Sequence, residues 1–173
     1  MNTQDLRYIK TEKMLRDAFC RLNAKRKKYT LAQLCQEALI NKTTFYKHYE
    51  TLEDFEYKIR KEYLKKLLYQ CEYINDAFTD TINFASSIKN LMEENIQTIE
   101  IMFSNYTYQI TQILEEIYLE IYGNRLTTKE ERLKLIFVVR GSASILSNNF
   151  DSDTYKYVIK LVETVLKLDV NMN

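Results

Sequence analysis

Proline and tryptophan are missing from this 173-residue chain, glycine occurs twice (Gly123 and Gly141), and His48 is the one histidine. Tight hairpins rely on glycine or Asn-Gly turns with positive φ, so a β architecture lacks its punctuation. Helix interiors need neither residue, and the chain is expected to be all-α. Two glycines also exclude a phosphate-cradling loop or a dinucleotide fingerprint. The three cysteines, Cys20, Cys35 and Cys71, form no C-x-x-C pair, and one histidine leaves too few soft ligands for zinc. Each cysteine falls on the apolar side of a helical pattern and is expected as a small buried thiol. No cofactor is implied. No nucleophile and carboxylate converge on His48 in a recognisable pattern, so an enzyme is not expected. Apolar runs are short, as in Ile136 to Val139, which argues against a membrane span, and the first residues lack a signal-peptide core. Cytoplasmic is the default location.

What is present is asymmetric. The formal net charge is only +1, yet residues 1–66 carry 16 Lys and Arg against 9 Asp and Glu, and residues 67–173 carry 9 against 15. A basic first third on an acidic remainder suggests that one end meets a polyanion.

Helical periodicity and caps divide the chain. Leu15, Ala18, Phe19 and Leu22 make an amphipathic helix that ends at the basic run Lys25 to Lys28. Thr30 with Gln33 is a capping box, so a short second helix starts at Leu31. Asn41 is a preferred N-cap, so a third starts at Lys42. In "INKTTFYKHYE" (40–50), Phe45 and Tyr49 share an inward face, which leaves Lys42, Thr43, Tyr46 and Lys47 outward and Thr44 and His48 on the flanks. Two short helices joined by a three-residue turn make a helix-turn-helix. Thr51 can cap a fourth helix whose stripe of Phe55, Ile59, Leu67, Cys71 and Ile74 extends it over 51–74, about 35 Å at 1.5 Å per residue. Five further helices follow: two within 79–103, one over 105–122 ending at Gly123-Asn124, one from the Thr128–Glu131 capping box to about 149, and one from 151 to 168. The reading is a helix-turn-helix domain over 1–50 and a helical ligand-binding and dimerisation domain over 51–173, about nine helices in all, with helix 51–74 connecting them.

The stretches "TEKMLRDAFCRL" and "YTLAQLCQEALINKTTFYKHYETLEDF", with the long helix after them, resemble the tetracycline-repressor (TetR) family of bacterial transcription regulators. The match is to its cap, basic residue, threonine, aromatic-Tyr and closing aromatic, here Asn41-Lys42-Thr43-Thr44-Phe45-Tyr46 followed by Lys47-His48-Tyr49. It covers about a third of the chain. Three positions depart from the pattern: Leu39 and Thr43 stand where the family often has glycine, and Leu52 where it usually has lysine. A Leu39 change is mild if the turn adopts a negative φ.

The resemblance implies a DNA-binding regulator, by family habit a repressor. It would bind double-stranded DNA at a near-palindromic operator as a homodimer, with a small-molecule effector in its C-terminal domain. Lys42, in the first turn, can reach a guanine edge or a phosphate, and Thr43 and Thr44 a thymine methyl or a phosphate. Tyr46 and His48, by resemblance, contact phosphate, Lys47 adds charge, and Thr30 donates to phosphate from a helix N-terminus. For the effector, the central helices supply Phe84, Met92, Phe103, Tyr106, Ile110, Leu114, Tyr118 and Phe137, with Arg140 to hold an acid.

The last two helices suit an isologous dimer better than a hairpin buried in a monomer. The final helix is apolar on two sides, one stripe being Tyr155, Val158, Ile159, Val162 and Leu166 and the other Tyr157, Leu161, Val165 and Leu168. The first stripe, with Gly141 and Ser144 of the preceding helix, is the expected interface. A reading from another class is a protein of the same fold that regulates by contact with a partner protein, without specific DNA binding. The missing lysine at 52 and the modest basic excess leave room for it.

Overall fold

A computed structural model describes residues 3–25, 28–103, 107–148 and 153–168. Among the described residues the chain is all-α, with nine helices and no strand: α1 (Thr3–Ala24), α2 (Leu31–Glu37), α3 (Lys42–Phe45), α4 (Leu52–Leu68), α5 (Thr81–Glu94), α6 (Ile96–Phe103), α7 (Thr107–Tyr122), α8 (Lys129–Asn148) and α9 (Thr154–Lys167). It divides into two compact units, 1–59 and 60–173. The division falls inside α4, later than a boundary at residue 50. Phe55, in the first turn of α4, is fully buried among Phe19, Phe45 and Tyr49 and closes the first unit's core.

The caps read from sequence form. Thr30 and Gln33 make a reciprocal capping box at α2. The Asn41 side chain accepts from Thr44 N at 2.7 Å, and Thr51 Oγ1 accepts from Asp54 N at 3.0 Å. At α8, Glu131 N donates to Thr128 Oγ1 and Thr128 N to Glu131 Oε2, at 3.1 and 3.0 Å. The Thr128 and Thr127 N–H groups, both donating to Glu131 Oε2, hold its carboxyl below its usual range.

Helix α4 stops at Leu68 rather than running to 74. At 17 residues it is about 25 Å long. Beyond it, Gln70, Cys71, Ile74 and Asp76 each donate to the carbonyl three residues back, so 69–80 is a chain of tight turns. Cys71, Ile74 and Ala77 are buried at a spacing of three, which suits such turns as well as it suits a helix. The Tyr122 hydroxyl pins the segment: it donates to Ile74 O and accepts from Ala77 N.

In the second unit α8 packs between α7 and α9, and α9 also packs on α5. Ile110, Ile113 and Ile117 of α7 are fully buried, each worth roughly 1.5–3 kcal/mol of transfer free energy. Gly123, just past α7, does not have positive φ. Glycine stands there because a Cβ would lie 2.5 Å from Leu119 O. Cys35 and Cys71 are buried, but Cys20 is exposed, on the outer side of α1.

Candidate nucleic-acid interface and internal cavity

In the first unit, Leu15, Ala18 and Phe19 of α1, Leu34 of α2 and Phe45 of α3 are fully buried. Phe55 is the hub of the aromatic contacts, with ring centroids 4.9 Å from Tyr49 and 5.9 Å from both Phe19 and Phe45. Arg21 straps α1 to α2, donating from Nε to Glu37 Oε1 at 2.5 Å and from its terminal nitrogen to Glu37 O. That hydrogen bond holds the Glu37 carboxyl below its ordinary value.

The turn between α2 and α3 is a Schellman motif. Ile40 N donates to Cys35 O and Leu39 N to Gln36 O. The motif needs a left-handed residue at its corner, and Leu39 occupies it with φ 55°. The negative φ that would make leucine harmless there is not adopted. Leu39 is 84% exposed, so it recovers almost no burial for the strain.

Over α3 and the two residues after it, Phe45 is buried in the core, while Lys42, Thr43, Tyr46 and Lys47 lie exposed and Thr44 is half-buried. Among the described residues, Lys28, Lys42 and Lys47 form no ion pair. Lys58 of the first unit and Lys61, Lys89, Lys134, Lys156, Lys160 and Lys167 of the second do sit against carboxylates. Thr30 is exposed, but its hydroxyl is already used in capping α2. Arg26 and Lys27 of the basic run lie outside the described residues.

His48 departs from its expected role as a phosphate contact. Its side chain is 5% exposed, with Nδ1 2.6 Å from Glu12 Oε1 and the ring stacked on Tyr8 at 4.1 Å. Glu12 also accepts from the Tyr49 hydroxyl at 2.5 Å. Burial, together with that bond, pushes the Tyr49 hydroxyl well above its ordinary value. Glu12 thus ties α1 to the end of the 42–49 segment through two neighbouring side chains. Sequence reasoning missed this anchor, since 36 residues separate Glu12 from His48.

The second unit holds a cavity of ≈ 120 Å³ touched by all six of its helices. Of the residues expected there, Phe84, Met92, Phe103, Leu114 and Tyr118 line it. Ile110 is fully buried in the core but is not among the lining residues, and Tyr106 lies outside the described residues. Phe137 and Arg140 are corrections: both lie on the outer face of α8. Phe137 is 68% exposed. Arg140 bonds Glu115 of α7 from Nε at 2.7 Å, so no guanidinium enters the cavity.

The expected dimer stripe is likewise corrected. Tyr155, Val158 and Leu166 are buried within the unit, and Ile159 and Val162 line the cavity. Tyr155 is tied to α5, its hydroxyl donating to Glu93 at 2.6 Å. The opposite stripe is the open one: Tyr157 and Leu161 on α9, Leu133 and Phe137 on α8. Ser144 is exposed, and a Cβ at Gly141 would meet nothing within 4 Å, so these two fit the outward face.

Among the described residues no group of His, Cys, Asp and Glu could hold a metal ion, and no helix is long and apolar enough to cross a membrane. Comparisons with protein-family models, with curated proteins and with solved structures find no match to this chain.

Proposed function

We propose that this chain is a DNA-binding transcriptional regulator of the TetR type, acting as a repressor on a near-palindromic operator as a homodimer, with a small-molecule effector in its second unit. The observation that carries the reading is the surface of residues 42–47. A capped turn of helix presents Lys42, Thr43, Tyr46 and Lys47 together, and neither lysine forms an ion pair among the described residues. Unneutralised cations beside small hydroxyl side chains on a helix start suit the major groove and its phosphates. Tyr46 is 56% exposed, so its hydroxyl is free to reach a backbone phosphate. His48 falls to a supporting role: through Glu12 and Tyr8 it holds the reading turn against α1.

Dimerisation rests on the outward stripe of α8 and α9. Phe137 and Tyr157 are 68% and 74% exposed, with Leu133 and Leu161 beside them. Large exposed apolar groups on two adjacent helices suit a second copy of the same surface.

The test is selection of duplex DNA from a random pool by the purified chain, followed by gel shift. Wild type is expected to enrich a near-palindrome. The double variant Lys42→Ala/Tyr46→Ala is expected to lose it with little change in thermal stability, because both side chains are exposed. A double variant that still shifts the selected duplex at moderate salt refutes the assignment. Failure of wild type to enrich any sequence favours the protein-contact reading instead.

A further inference from the structure

We infer that Glu12 of α1 is a positioning residue for operator recognition: its one carboxylate, paired with both His48 and Tyr49, holds the exposed face of 42–47 in its reading geometry. The inference rests on the DNA-binding reading above and assigns part of its specificity to a group that repels phosphate. Helix α3 is a single turn, Lys42–Phe45. Tyr46 and Lys47, two of the four exposed reading positions, lie beyond its end. The backbone there closes only tight turns, with Lys47 N donating to Thr44 O at 3.2 Å and His48 N to Phe45 O at 2.9 Å. So short a stretch is a weak hold on side-chain direction. The Asn41 cap fixes the start of the segment. Its end is fixed by the two side chains that follow Lys47.

His48 Nδ1 lies 2.6 Å from Glu12 Oε1, and the Tyr49 hydroxyl donates to Glu12 Oε2 at 2.5 Å. Tyr8, one turn before Glu12 and so on the same face of α1, stacks on the His48 ring. A ring nitrogen that close to a carboxylate oxygen carries its proton, so His48 and Tyr49 both act as donors. Water is a poor substitute acceptor, because the His48 side chain is 5% exposed and Tyr49 is 7% exposed. A carboxylate has two acceptor oxygens and serves both donors. An amide at position 12 has one, and turns its NH2 toward the other donor. The donor left over is relieved only by movement of the segment, which carries Tyr46 and Lys47 with it.

The experiment measures equilibrium binding of the full chain to the selected duplex and to an unrelated duplex of equal length. Glu12→Gln should weaken the selected duplex about tenfold. It should leave the unrelated duplex as tight as in wild type or tighter, because a negative charge near a polyanion is gone. Tyr49→Phe keeps the ring and removes one donor, and should bind the selected duplex within about twofold of wild type. In Glu12→Gln/Tyr49→Phe the single amide oxygen suffices for His48, and binding of the selected duplex should return to within about threefold of wild type. Circular dichroism checks that each variant is folded at the assay temperature.

A Glu12→Gln chain that binds the selected duplex as wild type does, or that loses both duplexes in proportion, overturns the positioning role and leaves DNA binding standing. A double variant that binds no better than Glu12→Gln does the same, since the loss is then not a missing acceptor. If Glu12→Gln does not fold, the double variant decides: near-wild-type binding supports the role, and an unfolded or weakly binding chain overturns it. Failure of wild type to select any duplex removes the DNA-binding reading and the positioning role with it.

Discussion

Leu39 is placed where glycine would cost less, and replacing it should stabilise the first unit. Its φ of 55° is left-handed, a conformation that costs an L-residue about 1–2 kcal/mol. Its side chain is 84% exposed, so Leu39→Gly gives up little burial. Glycine adds unfolded-state freedom worth about 0.5–1 kcal/mol against folding. The difference leaves a net gain of about 0.5–1 kcal/mol. Leu39→Ala is the control, since it removes the side chain and keeps the strain, and it should stay within about 0.5 kcal/mol of wild type. Urea unfolding gives the midpoint. Because two units need not unfold together, amide exchange at Ile40, whose N–H closes the Schellman motif on Cys35, gives the local value. Slower exchange in Leu39→Gly than in both wild type and Leu39→Ala is expected. A glycine variant that is less stable than wild type, or indistinguishable from alanine, refutes the assignment of strain to this corner.

Other outcomes follow from the same geometry. Asn41→Ala removes the acceptor for Thr44 N and should cost about 1 kcal/mol in the first unit, with a loss of operator affinity, read by urea unfolding and gel shift. Phe137→Asp places a charge in the outward stripe of α8 and should convert a dimer to monomer in light scattering without lowering helix content by circular dichroism. Burial pushes the Tyr122 hydroxyl up from 10.0 to about 12 in the folded chain. Its protonated form is therefore favoured by folding: the contribution is fully present below pH 10 and lost as pH rises through about 12. Tyr122→Phe should flatten the fall of stability across that window in urea unfolding at stepped pH.

The helices were legible because their signals are local. Thr30–Gln33, Asn41, Thr51–Asp54 and Thr128–Glu131 each place a side-chain acceptor three residues from the amide it serves, and all four caps form. The end of α4 was not legible, because Cys71, Ile74 and Ala77 have a spacing that a tight-turn chain and a helix share. Which stripe of α9 faces inward was equally hidden. Both are apolar, and the choice is made by α5, α8 and the cavity rather than by α9 itself. Arg140 looked like a buried charge because its helix is apolar, but its partner Glu115 is 25 residues away on α7. In the candidate interface, the exposed positions of 42–47 follow from helical spacing. The burial of His48 depends on Glu12 and Tyr8, which no local pattern connects to it.

The central claim is that residues 42–47 meet duplex DNA through unpaired lysines. Its most direct test is the salt dependence of equilibrium binding to the selected duplex, for wild type and for Lys42→Ala/Lys47→Ala. Each phosphate contact contributes about 0.9 to the slope of log affinity against log salt. A dimer loses four lysines, so the slope should become shallower by about 2 to 4 and affinity at low salt should fall. An unchanged slope and affinity in the folded double variant would contradict the account.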